Sequence, residues 1–515
     1  MSRQLLPTLA LIAALILPGC VSNDPADEET ENPPNLLTKA TYALYTLPAI
    51  YTGPIGLYEP TIDVGPEGNL YTSSHSSGVG ETPSPAYYST DDGVTWQSMG
   101  LFMQQEQASP EEQGSAPILS DEVFIVAGEE GQAWGMDCCS KGATTTGPAT
   151  GADPTGVVGL GQTLAPTSEL PLVGWCEQGA EVCYYNENVM DHSSYGADAS
   201  QECVPFYGTD RPWLAYNNGK LLLVNNPGTA IVSGGEPLGN IPAQIGAMDV
   251  PPATAVAYGA AAWGVEWNLC ASTGGYIPGI PDMRPDHFFG VPQWVDFRAD
   301  PCAGQESYYD VIHGHADDLT ALSQTTAFRN SNAQAKEDDS TPSNIMQGGQ
   351  VVFDADGTLF IGAMNNTAMK DEDDRCIAAP GQGAIHLAVS TDDAQTYTET
   401  TFRFDAPVSA IYMDGNRYGE GFLLNWGQID GNHTDWYLAH VYAENGTLVL
   451  KNKMLAVDDG PEASRHVQGA ALGPDGRAYM VYSDNSQNPG GAKASSGDTP
   501  LHVAVQQDGP VMPVG

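Results

Sequence analysis

The chain has 515 residues, with 64 Asp and Glu against 18 Lys and Arg, a formal net charge of −46. So few basic residues exclude a nucleic-acid binder, which needs a Lys/Arg stripe to neutralise phosphates. With 58 Gly and 38 Pro beside 41% apolar residues, turns are too frequent for a helical bundle or a parallel α/β fold. The expectation is an all-β protein, long enough for a propeller or an array of β domains.

Residues 1–20 read MSRQLLPTLALIAALILPGC: one Arg, then an apolar run from Leu5 to Leu17, the layout of a secretory signal. The run is too short for the roughly 20 residues that cross a bilayer. Its end, Leu17-Pro18-Gly19-Cys20, resembles the lipobox of prokaryotic lipoproteins, archaeal ones included. An ordinary signal with a chance cysteine is the alternative. The resemblance implies that 1–19 is a signal peptide, that Cys20 is lipidated, and that the chain is anchored at the cell surface on the outer face of the cytoplasmic membrane. The segment 21–40, VSNDPADEETENPPNLLTKA, is acidic and proline-rich and is expected to be an extended tether from Cys20. The remaining acidity is spread through 41–515, which suits a salt-rich exterior where self-repulsion is screened.

Six segments share one pattern of apolar strand, Gly or Asp-Gly turn and second apolar strand: 62–72, 124–134, 213–224, 351–361, 411–424 and 471–481. Each reads as a hairpin whose turn needs positive φ, supplied by Gly68, Gly131, Gly219, Gly357, Gly419 and Gly476. These glycines are separated by 63, 88, 138, 62 and 57 residues, a period near 60 with one doubled gap. Repeats of this length, one four-stranded sheet each, predict a β-propeller of six or seven blades over 41–515. A seventh repeat would lie in an irregular, insertion-rich stretch at about 225–340. A string of β-sandwich modules is the alternative.

Ser89-Thr-Asp-Asp-Gly-Val-Thr-Trp96 matches the Asp-box, S-x-D-x-G-x-T-W, through Ser89, Asp91, Gly93, Thr95 and Trp96. Ser390, Asp392, Thr396 and Tyr397 form a degenerate copy with Ala394 in the glycine position. Such a box is a hairpin turn in which Asp caps backbone N–H groups and the aromatic packs inward. The chain therefore resembles the sialidase-superfamily, Asp-box (BNR repeat) propellers, with Thr209–Ala215 similar to their blade openings. In that superfamily the boxes are structural and face away from the substrate, so they speak for fold and not for chemistry.

The resemblance implies three substrate-binding arginines and a Tyr/Glu nucleophile with an Asp acid. Where the first arginine would open the first blade, this chain has Tyr58 and Glu59, and a carboxylate there repels a carboxylate substrate. None of Arg211, Arg284, Arg298, Arg403, Arg417 and Arg465 sits in a sialidase context. Polar groups at the predicted blade openings are Glu59, Asp121 with Glu122, Asp210 with Arg211, Asp286 with His287, and Arg465 with His466. These would converge on a central mouth, with Glu59, Asp121, Asp210, Arg211 and Arg465 as ligand contacts, or would pair with one another in a wet channel. Glu59 and Asp210 are the only candidates for acid–base work on a glycan, and no catalytic residue is assigned.

The expectation is a monomeric surface module that binds a glycan or another surface protein and needs no cofactor. Its enzymatic alternative is a glycoside hydrolase of the sialidase superfamily with altered specificity. Calcium is the metal that Asp354 and Asp356, or the run 371–374, would take as a structural ion. His313, His315 and Asp317 have the alternation of a zinc-type site but equally that of a polar loop. Besides Cys20, eight cysteines form an even set that reads as up to four disulfides in an exported chain. Cys176 and Cys183 could close one hairpin, but spacing alone fixes no connectivity. Asn365, Asn432 and Asn445 begin N-x-T sequons.

Overall fold

The computed structural model describes residues 42–47, 57–76, 85–101, 118–128, 133–141, 156–163, 172–177, 183–186, 210–226, 244–249, 268–269, 277–295, 307–319, 321–330, 342–345, 349–370, 376–430, 433–444, 447–457, 465–484, 501–507 and 512. Among them every regular element is a strand, and the strands form seven separate antiparallel sheets of four or five strands. Cys20, the signal, the tether and the acidic runs 337–339 and 371–374 lie outside the described residues.

The sheets follow one another along the chain. Sheet 1 spans 57–101, sheet 2 118–186, sheet 3 210–269, sheet 4 277–330, sheet 5 342–404 and sheet 6 408–457. Sheet 7 joins the last three strands of the chain, within 465–506, to Tyr42–Thr46 from its beginning, which pairs with Leu501–Gln506. Within sheets 1 to 6 the main path runs in sequence order, so each is a meander of hairpins, and sheet 7 departs from this only by the added edge strand Tyr42–Thr46. All six hairpins expected from the glycine pattern are the opening hairpins of sheets 1, 2, 3, 5, 6 and 7.

The opening turns show why the glycines recur. Gly68, Gly219, Gly357 and Gly476 have φ of 83°, 76°, 79° and 81°, the left-handed region where a side chain is strained. In sheet 6 the left-handed residue is Gly421 (φ 80°) rather than the expected Gly419, because this turn is one residue longer and closes through Asn416 N–H to Gly421 O. Gly131 lies outside the described residues. In sheet 4 the equivalent residue is His287, φ 64°, so this hairpin carries no glycine signal. Its opening strand is also split into Ile277–Pro278 and Asp282–Met283.

Apolar clusters lie between consecutive sheets. Tyr71, Ala86 and Ile125 pack sheet 1 against sheet 2, Val224, Ile245 and Phe289 sheet 3 against sheet 4, and Phe360, Ile411 and Trp426 sheet 5 against sheet 6. Val64, Trp96 and Val505 join sheet 1 to sheet 7. Alternation puts opposite faces of a strand into different interfaces, as in sheet 6, where Leu424 packs toward sheet 5 and Leu423 toward sheet 7. The opening edge strand of each sheet, which is Gln350–Phe353 in sheet 5 and Arg465–Leu472 in sheet 7, also packs against that of the next sheet, and that of sheet 7 against that of sheet 1.

Both Asp-boxes form the turn expected of them. Asp91 Oδ1 accepts from Thr95 N–H (2.8 Å), Asp91 Oδ2 from the Thr95 hydroxyl (2.7 Å), and Ser89 Oγ from Gly93 N–H (2.9 Å). Trp96 Nε1 closes the turn on Gly93 O at 2.9 Å. In the degenerate copy Asp392 makes the same pair to Thr396, at 2.9 and 2.6 Å, and Ser390 Oγ accepts from Ala394 N–H at 3.0 Å. Tyr397 cannot reproduce the indole contact. Its hydroxyl instead lies 3.1 Å from Thr325 Oγ1, which itself donates to Ala394 O at 2.7 Å.

Ala394 adopts φ 62° in a fully buried position, so a methyl group fits there at the cost of backbone strain. At Gly93 the same methyl would lie 2.8 Å from Val505 Cγ2 and 3.2 Å from Leu70 Cδ1. Gly93→Ala is therefore expected to destabilise the protein by about 1–3 kcal/mol, read from chemical denaturation, despite alanine's presence at 394.

Candidate functional site

Each first strand is an edge strand whose outer N–H and C=O groups need partners. The chain meets this need with side-chain acceptors at the ends of the first strands. Asp63 Oδ2 of sheet 1 accepts from Ala127 N–H of sheet 2 at 2.7 Å, Asp282 Oδ2 of sheet 4 from Phe353 N–H of sheet 5 at 2.8 Å, and Asp414 Oδ2 of sheet 6 from Leu472 N–H of sheet 7 at 2.6 Å. The second oxygens of Asp63 and Asp282 accept from the next residue's own N–H, at 2.8 Å each. Asn217 Nδ2 donates to Met283 O at 2.7 Å between sheets 3 and 4, and Gln350 accepts from Met413 N–H between sheets 5 and 6.

Asp63, Asp282 and Asp414 share one cation, Arg417, in the opening turn of sheet 6, with Nη2 3.7 Å from Asp282 Oδ1. Asp282 is 7% exposed; Asp63 and Asp414 keep more solvent contact, yet protein crowds each on most sides. This loss of hydration raises all three carboxyls above the usual carboxylate range, and Arg417 offsets part of the rise. Mutual repulsion with Asp63 raises Asp414 further. Burial alone would lower the Arg417 guanidinium, but Asp282, Asp63 and Asp414 together hold it protonated and push it up.

Two further arginines tie opening turns to Asp-boxes. Arg284 of sheet 4 bonds Asp286 (2.7 Å) in its own turn and Asp393 (2.7 Å) in the Asp-box of sheet 5. Arg477 of sheet 7 likewise joins Asp475 of its own turn to Asp92 (2.9 Å) in the Asp-box of sheet 1. A planar guanidinium suits this task because it engages two carboxylates in fixed directions.

The residues expected at a mouth fall into two groups. Glu59, Asp121, Glu122, Asp210, Arg211, Arg465 and His466 all lie in the first halves of the first strands of sheets 1, 2, 3 and 7. Their side chains are outside the described atoms. Along Leu57–Val64, Glu59 stands four residues before Asp63, roughly 13 Å away at the usual strand rise, so the Arg417 cluster occupies the other end of these strands. Asp286 and His287 do not belong with the first group. They sit in the opening turn of sheet 4, at the Asp-box end, because the glycine-free turn and split strand shift the apparent start of this repeat.

The arginine candidates separate too: Arg284 and Arg417 serve turns, Arg403 lies on the outer strand Thr398–Phe404, and Arg298 is outside the described residues. His313 and His315 share a strand face against the Phe288 ring, at 5.8 and 5.5 Å between centroids. Asp317 turns away to Lys220 (2.5 Å) and His287 (3.0 Å). Asp354 accepts from Thr358 N–H (2.9 Å) and Asp356 N–H (3.1 Å) on one oxygen and Gly421 N–H (3.0 Å) on the other, the geometry of a turn cap. Among the described residues no group of three His, Cys, Asp or Glu could hold a metal ion.

Asp63, Asp282 and Asp414 are not among the residues expected from the sequence. The available signal was an Asp one or two residues before the opening turn in three repeats, in Ile62-Asp63-Val64, Pro281-Asp282-Met283 and Met413-Asp414-Gly415.

No protein-family model and no curated protein matches the chain. Among solved structures it is similar to the Hadza microbial sialidase Hz136, with 11% identity, 87% of this chain and 66% of that one covered, and a TM-score of 0.38. It is also similar to the Trypanosoma rangeli sialidase, with 9% identity, 88% and 53% covered, and a TM-score of 0.36. A polysaccharide lyase of family PL25, an ulvan lyase bound to a GlcA(1-4)Rha3S unit, gives 12% identity, 88% and 94% covered, and a TM-score of 0.43. The chain thus spans just under two thirds and about half of the lengths of the two sialidases.

Asp414→Asn keeps an oxygen for Leu472 N–H while removing one of three carboxylates that share one cation. A carboxyl raised in the folded state lends stability below its unfolded value near 3.8 that fades as pH rises. The variant should therefore be as stable as the wild type or more so at pH 8, by up to about 2 kcal/mol from chemical denaturation, and lose that advantage toward pH 4. Arg417→Met leaves three carboxylates facing one another and should cost about 2–3 kcal/mol at pH 8, a figure discounted because its side chain is 35% exposed.

Proposed function

We propose that the seven sheets are the blades of a sialidase-type β-propeller, anchored by lipid on Cys20 at the outer face of the cytoplasmic membrane. The blade order would be closed by Tyr42–Thr46 in sheet 7. Its mouth binds a glycan or a surface protein without turning it over. One observation carries this reading: three described cations at the Asp-box end, Arg284, Arg417 and Arg477, are committed to holding turns and neighbouring sheets. The opposite end is where four first strands place Glu59, Asp121, Asp210, Arg211 and Arg465, a mixed acidic and basic set suited to neutral hydroxyl-rich ligands. Glu59 speaks against an anionic sugar, since a carboxylate stands where an anion-binding arginine would be needed.

The test uses the chain with Cys20→Ser, which should move from the membrane to the soluble fraction. Presented with neutral and anionic glycan arrays and chromogenic glycosides, it should retain neutral glycans without hydrolysis, and Arg211→Ala should weaken retention about tenfold or more. Glycoside hydrolysis abolished by Asp210→Ala would instead make the protein a hydrolase.

A further inference from the structure

Sheet 2 carries a fifth strand, Cys183–Asn186, outside the four-strand pattern of its neighbours on the chain. Four register pairs hold it against Leu172–Glu177, and Cys183 stands directly opposite Cys176. Directly paired residues of antiparallel strands have Cα atoms about 4.5 or 5.5 Å apart, depending on the hydrogen-bonding type. Both values fall inside the roughly 4.4–6.8 Å that a disulfide spans.

The register also removes the competing partners within this sheet. Cys138 and Cys176 are both paired with Val158, so they stand two strands apart, about 10 Å, beyond disulfide reach. Cys139 pairs with Val157, one row further along, and Cys183 is another strand away from both.

We infer that Cys176 and Cys183 form a disulfide that staples this edge hairpin. The bond arises by thiol–disulfide exchange with a disulfide-carrying oxidoreductase met after export. Two thiols lose two protons and two electrons, one S–S bond forms, and the oxidoreductase disulfide becomes two thiols.

Glu177 and Glu181 lie between the two cysteines and make the test direct. The protein, produced by export, is unfolded with iodoacetamide and without reductant, then cut by a Glu-specific protease. Fragments 170–177 and 182–187 should appear as one covalent species, 2 Da lighter than the two thiol peptides together, and separate on reduction. Recovery of both as alkylated peptides, or of either joined to another cysteine, would overturn the inference. In Cys176→Ser, Cys183 should become alkylatable; if it stays blocked, its partner is elsewhere and the inference fails.

Discussion

The interaction on which the architecture depends is a side-chain oxygen at the end of one sheet's first strand, accepting an N–H from the first strand of the next. Sheets that meet only through apolar side chains have no fixed offset along their strands, because dispersion and burial are non-directional. A hydrogen bond from Ala127 N–H to Asp63, from Phe353 N–H to Asp282 and from Leu472 N–H to Asp414 supplies that offset. It also satisfies edge groups that would otherwise stay unpaired in a partly dry interior. The chain accepts three crowded carboxylates in return, and Arg417 is the cation that keeps them tolerable.

This sharpens the meaning of a charge of −46 with only 18 basic residues. Three arginines stand where several acids meet: Arg417 among the first-strand aspartates, and Arg284 and Arg477 between an opening turn and a neighbouring Asp-box. The two Asp-boxes therefore do more than close their own hairpins. Asp92 and Asp393, the variable residues of the motif, have left-handed backbones that turn their carboxylates toward the arginines of another sheet. With 64 acidic and 18 basic residues, most carboxylates of the chain have no basic residue to pair with, and these three arginines stand at junctions between sheets.

The repeating hairpins and both Asp-boxes were legible in the sequence because their causes are local: a glycine at positive φ, an Asp two residues after a Ser, an aromatic five residues after the Asp. The degenerate copy keeps its geometry because Asp392 and Thr396 carry most of the turn, while Ala394 bears the strain. Sheet 4 was hidden because His287 takes the glycine conformation and its opening strand is split around Gly279, which lies close against Gly349. The same irregularity misplaced Asp286 and His287. The links between sheets were invisible for a different reason: their partners lie 58 to 71 residues apart, and no local pattern announces them.

These carboxylates, and not apolar packing alone, lock adjacent first strands. Amide hydrogen exchange of Phe353 in Asp282→Ala and in wild type tests this most directly. Phe353 should exchange at least tenfold faster in the variant, with the buried amides of sheet 2 unchanged. Equal protection of Phe353 in the two proteins would contradict such a lock.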